Sequence, residues 1–141
     1  MTYEDRIERA VALFKSGYNC SQSVVAAFAD LYGFTDEQAF KMAASFGGGI
    51  GRMRQTCGAA CGLFLLAGLD TGATEGSDNE GKSYNYKVVQ ELAEKFRKEN
   101  GSLICSELLG LSKQEPTPHQ AEVRTPEYYK KRPCALMVET A

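Results

Sequence analysis

One local signal recurs three times in the first part of the chain and sets the fold class. A side chain able to cap a helix is followed three positions later by one able to bond back: Thr2 with Asp5, Asn19 with Gln22, and Thr35 with Gln38. Such a box satisfies amide donors that a helix start leaves without partners, so each pair marks a helix N-terminus. Apolar side chains follow each at helical spacing. Ile7, Ala10, Val11 and Phe14 precede Gly17; Val24, Ala27, Phe28 and Leu31 precede Gly33; Ala39, Met42, Ala43 and Phe46 precede a glycine run from Gly47. Three capped helices in succession predict an all-α fold.

The rest of the chain continues the pattern. A fourth helix is expected from Cys57 to Leu69, apolar on nearly every face and therefore central. Gly72, Gly76 and Gly81, interleaved with Ser77, Asp78 and Asn79, predict a polar loop. A long fifth helix follows, with Tyr84, Val88, Leu92 and Phe96 on one side and Glu91–Lys95 and Glu94–Lys98 as exposed ion pairs. Ser102 can cap a short helix through Cys105 to Leu109, and Gly110, Pro116 and Pro118 enforce an irregular stretch to Pro126. Pro133, at a favoured first-turn position, introduces a last short helix from Ala135 to Val138. No alternating pattern is long enough for a sheet. The expectation is an all-α, single-domain helical bundle of about five to seven helices spanning 1–141 around a central apolar helix.

Function classes narrow quickly. A formal net charge of −2 offers no basic surface, so nucleic acid is not an expected partner. The N-terminus is charged and lacks the apolar stretch of a secretory signal. The longest apolar run, 58–69, is shorter than the ~20 residues that span a bilayer. The expectation is a cytoplasmic protein without membrane insertion. Thiols stay reduced in that compartment, so five cysteines point to redox work, metal ligation or burial rather than a permanent disulfide framework.

Four of them share a placement. Cys20, Cys57, Cys105 and Cys134 each fall in or just before the first turn of an expected helix, where orphan amides and the positive end of the macrodipole favour a thiolate. Arg52 and Arg54 before Cys57, and Lys131 and Arg132 before Cys134, are expected to add to that effect. Cys57 and Cys61 lie four apart on one helix, which leaves ~5–6 Å between their Cβ atoms where a disulfide wants ~3.5–4.5 Å. A resolving thiol for Cys57 is therefore expected from another segment, with Cys20, Cys105 and Cys134 all candidates. Cys61, inside an apolar helix, reads as a small core hydrophobe. The competing use of Cys20, Cys57, Cys105 and Cys134 is as ligands to zinc or an iron–sulfur cluster, although no two cysteines show the usual C-x-x-C spacing.

The stretch Cys57-Gly58-Ala59-Ala60-Cys61-Gly62, preceded by Gly47-Gly48-Gly49-Ile50-Gly51-Arg52-Met53, resembles the C_GCAxxG_C_C family of redox-active proteins. Asn19-Cys20-Ser21-Gln22, Cys105-Ser106-Glu107-Leu108-Leu109-Gly110 and Cys134 extend the likeness over almost the whole chain. The resemblance implies that Cys20, Cys57, Cys105 and Cys134 are the family's characteristic cysteines, and it places Cys61 at a variable position of the motif. It also implies a redox role and a setting near membrane transport systems.

Other features admit plainer uses. The glycine run beside Arg52 and Arg54 can form an anion-binding nest, or can serve as a helix cap and a site of close backbone packing. The Lys-Ser or Lys-Thr of a P-loop is absent, and no flavin or nicotinamide motif appears. Gly58 and Gly62 are expected to let a neighbouring helix pack closely enough to bring another cysteine within reach. His119, the single histidine, reads as a solvated loop residue. The functional expectation is thiol–disulfide exchange, with Cys57 attacking, Cys20, Cys105 or Cys134 resolving, and a redox partner protein or small thiol exchanging electrons.

Overall fold

The computed structural model describes residues 1–111, 119–122, 124–126, 128 and 133–141. Among them the fold is all-α. The helices are α1 (Tyr3–Lys15), α2 (Cys20–Phe28), α3 (Asp36–Ala43), α4 (Gly58–Thr71), α5 (Asn79–Asn100), α6 (Cys105–Leu108) and α7 (Cys134–Thr140), with short 3-10 turns at Ala29–Tyr32 and Ala44–Phe46. The described residues form no strand. One antiparallel bridge pairs Thr56 with Ile104.

All three capping boxes form. Thr2 accepts from the Asp5 amide at 3.0 Å, Asn19 from Gln22 at 2.8 Å and Thr35 from Gln38 at 3.2 Å, and each partner side chain bonds back to the cap amide. Loss of such a cap costs about 0.5–2 kcal/mol. The start of α2, which carries Cys20, is thus set by its own cap, and the same two side chains tie it to the chain around α3, Asn19 donating to the Ala44 carbonyl and Gln22 to the Phe40 carbonyl, each at 3.0 Å.

The packing hub is α2, which lies against α1, α3, α4 and α7. Its residues Ser21 and Ser23 to Ala27 are all buried. The sequence suggests α4 for that position, but burial there is concentrated in the first half, from Gly58 to Gly62, while Leu69 near its far end is exposed. Backbone approach explains the difference. A Cβ built on Gly62 would stand 3.0 Å from the Ser21 carbonyl oxygen and 3.0 Å from Val24 Cβ, so the absence of a side chain at Gly62 lets the two helices meet closely there. Phe14 of α1 and Phe96 of α5 pack into the same core, each contributing about 1.5–3 kcal/mol by burial.

Several local expectations change. Helix α2 ends at Phe28 and tightens into a 3-10 turn that stops at left-handed Gly33. Met42 is exposed, leaving Ala39 and Ala43 to bury the face of α3. Tyr84 is also exposed, and α5 pairs Glu91 with Lys87 and Glu94 with Arg97 rather than with Lys95 and Lys98. Ser102 accepts from the Ile104 amide at 3.0 Å, but the residue at the cap of α6 is Ile104. Pro133 caps α7 instead of entering its first turn. Of the irregular stretch expected after Gly110, 112–118 and 123 lie outside the described residues.

One buried charge carried no sequence signal. Arg6 on α1 donates to the Ala27 carbonyl at 2.9 Å and grips the Asp30 carboxylate through two bonds of 2.5 and 3.1 Å. Its stem covers apolar surface while its fork ties α1 to the end of α2.

Candidate functional site

The four helix-start cysteines meet at one cavity. Cys20 is the first residue of α2, Cys57 caps α4, Cys105 opens α6 and Cys134 opens α7. All four line a cavity of about 380 Å³, and all are free thiols. Cys61 does not line it; it is buried in the helix wall, with its Sγ directed at the Thr56 carbonyl oxygen 3.8 Å away.

Two devices gather the thiols. On one side the α2–α4 contact acts: a Cβ on Gly58 would lie 2.8 Å from the Phe46 carbonyl oxygen and 3.4 Å from Cys20 Cβ. Gly58 thus clears room for Cys20, and Gly62 lets the rest of α2 follow. On the other side the backbone acts. The Cys57 amide donates to the Leu103 carbonyl at 2.7 Å and the Cys105 amide to the Gln55 carbonyl at 2.6 Å, which sets these cysteines diagonally across the Thr56–Ile104 bridge.

The glycine run serves that second device. Gly48, Gly49, Ile50, Gly51 and Arg52 are consecutive residues with φ of 66, 77, 66, 58 and 64°, and Arg54 follows at 60°. This is a left-handed turn, a conformation that costs a residue bearing Cβ roughly 1–2 kcal/mol. The amides of Ile50, Gly51, Arg52, Arg54 and Gln55 donate to the carbonyls of Phe46, Ser45, Gly47, Gly48 and Gly49. Those donors are spent inside the turn, and close packing is a use that the geometry shows directly. Gly49 carries it: a Cβ there would be 2.6 Å from Cys105 Cβ.

The neighbouring Cys134 thiol, together with burial, holds the Cys20 pKa well above its ordinary value. Burial likewise pushes the Cys57 thiol up to about 11, opposed by the amides of Ala60 and Ala59 at the start of α4. The expectation that helix placement and nearby arginines lower the Cys57 pKa is therefore corrected, because removal from water outweighs the helix-end field. Arg54 does not serve Cys57: its Nη1 donates to Cys105 Sγ at 3.6 Å. Arg52 donates to the Gln120 carbonyl and pairs with Glu122 at 3.2 Å. Cys61, away from the other thiols, is raised to about 11 by burial alone.

The cavity also draws in residues that carried no sequence signal. Arg124 donates to the carbonyls of Phe14 at 2.9 Å and Tyr18 at 3.0 Å and lies over the Phe14 and Tyr128 rings. Glu122 and exposed His119 line the same space, so His119 is a cavity residue as well as a solvated one. Asn19 lines it too, and its position as a cap immediately before Cys20 is a signal that could have found it. Lys131 and Arg132, expected to assist Cys134, lie outside the described residues. Among the described residues no group of three or more His, Cys, Asp or Glu side chains lies close enough together to hold a metal ion.

The fold and cavity define an all-α protein in which thiols from four separate helix starts line one space. Comparison with known families agrees: the profile described as "Putative redox-active protein (C_GCAxxG_C_C)" matches residues 18–141. The chain belongs to the C_GCAxxG_C_C family. Nothing among curated proteins or solved structures matches it. No helix of the described residues is long and apolar enough to cross a membrane.

Proposed function

We propose that the protein carries out thiol–disulfide exchange with Cys20 and Cys134 as its working pair. The observation that carries this reading is that both line one cavity, with Cys134 the neighbour that most affects the Cys20 thiol. Cys134 is the half-buried member, whereas Cys20, Cys57 and Cys105 are only 9, 5 and 7 % exposed. Access therefore favours Cys134 over Cys57 as the attacking sulfur. The high pKa of Cys20 keeps the proton on Cys20.

Exchange takes two balanced steps. The Cys134 thiolate attacks one sulfur of a disulfide, forming a mixed disulfide and expelling the first thiolate. Cys20 then gives up its proton and attacks the Cys134 sulfur. That releases the second thiolate and leaves a Cys20–Cys134 bond. Two protein thiols are oxidised, one external disulfide is reduced to two thiols, and the reverse sequence restores the pair. A reducing compartment such as the cytoplasm suits a protein whose resting state is the dithiol.

Graded oxidation in a defined redox buffer tests the assignment. Loss of two free thiols, with peptide mass spectrometry locating the bond between Cys20 and Cys134, is the expected result. Five thiols that stay free across the range would reject exchange, and stoichiometric zinc or iron after anaerobic purification would instead favour ligation.

A further inference from the structure

The cavity walls bear on what the pair reacts with. Among the described residues three arginines, Arg52, Arg54 and Arg124, line the cavity against one carboxylate, Glu122, which is paired with Arg52. Arg124 is occupied with two backbone carbonyls. Arg54 differs from both. Among the described residues its guanidinium has one hydrogen-bond partner, the Cys105 sulfur at 3.6 Å, a weak acceptor for a group with five donors. It is half-buried and holds φ at 60°, a strained conformation that glycine, used repeatedly in the same turn, would adopt freely. A cationic fork held under strain in a thiol-lined space, and matched there only by sulfur, is suited to an acidic group arriving from outside.

Size limits the visitor. About 380 Å³ lies in the range of small-molecule sites, and three of the four sulfurs are too buried for a folded partner's cysteine to approach. We infer that the cavity exchanges electrons with a small anionic thiol and its disulfide, whose carboxylate or similar acidic group is held by Arg54. This rests on the thiol-exchange reading above. The balance is the same: the anionic disulfide gains two electrons and leaves as two thiols while Cys20 and Cys134 become the disulfide. Arg54 binds and orients the reactant without entering the electron transfer.

A charge series on one skeleton tests it. Oxidation of the full-length dithiol protein is timed with 3,3′-dithiodipropionate, 2-hydroxyethyl disulfide and cystamine, which are anionic, neutral and cationic. Each rate is divided by that for 2-mercaptoethanol under the same conditions, removing intrinsic reactivity. The expected ratio of anionic to neutral reactant is about tenfold or more, the size of one charge-assisted hydrogen bond, and it shrinks as salt is added. Arg54→Gln is expected to bring the ratio close to one, and Arg54→Lys to keep part of it. A ratio near one in the unaltered protein, or a preference for cystamine, overturns the inference while exchange itself stands. A ratio that survives Arg54→Gln removes Arg54 from the role. Absence of oxidation by all three disulfides overturns both this inference and the exchange reading. The series on the unaltered protein decides the charge preference even where a variant folds poorly.

Discussion

The two sides of the cavity hold their sulfurs by different means. Cys57 and Cys105 are pinned by backbone, through two amide hydrogen bonds across the Thr56–Ile104 bridge and a left-handed turn that backs Gly49 onto Cys105. Cys20 and Cys134 come from α2 and α7, which pack against each other, and both thiols line the shared cavity. A sulfur fixed by backbone changes partner only if the bridge opens. A pair joined through side chains can make and break a bond while the ladder beside it stays closed. The comparison teaches that gathering thiols and making them reactive are separate tasks, assigned here to separate parts of the molecule.

The most drastic way to break this comparison is to remove one sulfur. Cys20→Ser or Cys134→Ser is expected to abolish the two-thiol loss on mild oxidation, measured by thiol titration and mass spectrometry. Should a Cys57–Cys105 bond form in the unaltered protein under the same conditions, the roles of the two sides would be reversed. Next in size are the clearances. Gly49→Ala combines a left-handed conformation with a 2.6 Å approach to Cys105 Cβ and should cost about 2–5 kcal/mol in urea unfolding. Gly58→Ala meets the Phe46 carbonyl at 2.8 Å and should cost about 1–3 kcal/mol, while slowing formation of the Cys20–Cys134 bond.

A pH series sharpens the picture of burial. Cys57 and Cys61 keep their protons in the folded protein up to about 11, above the ordinary 9.0. The unfolded chain loses those protons first, so their contribution to stability is full below 9.0 and declines as pH rises through about 11. Urea midpoints at about pH 8 and about pH 10.5 should show the fall, and Cys57→Ala should reduce it. A midpoint that rises over this interval would mean that these thiols are not buried as described. The smallest effect belongs to Cys61→Ala, expected to leave the oxidised product unchanged and to cost about 1 kcal/mol. A changed disulfide would show that Cys61 takes part in the exchange despite its place in the helix wall.

Local hydrogen bonding and helical period made much of the molecule legible in advance. The capping boxes at Thr2, Asn19 and Thr35 required only neighbours three residues away, and the same logic located Cys20, Cys57, Cys105 and Cys134 at helix starts. Which sulfur touches which could not be read that way. The nearness of Cys20 to Cys134 depends on how α2 and α7 dock, and Arg54 reaches Cys105 because the Thr56–Ile104 bridge sets the end of the glycine turn beside the start of α6. Nor did any pattern announce Arg124, whose partners Phe14 and Tyr18 lie at the other end of the sequence.

The sequence by itself determined the helices, their caps and the supply of thiols at their N-termini, because those follow from interactions within a turn or two of backbone. The tertiary structure decided that α2 rather than α4 is the hub, that Cys61 stays outside the cavity, and that burial raises the Cys57 pKa where the helix end alone would lower it. Those outcomes turn on close approach and exclusion of water between segments far apart in the chain. No local pattern encodes either one.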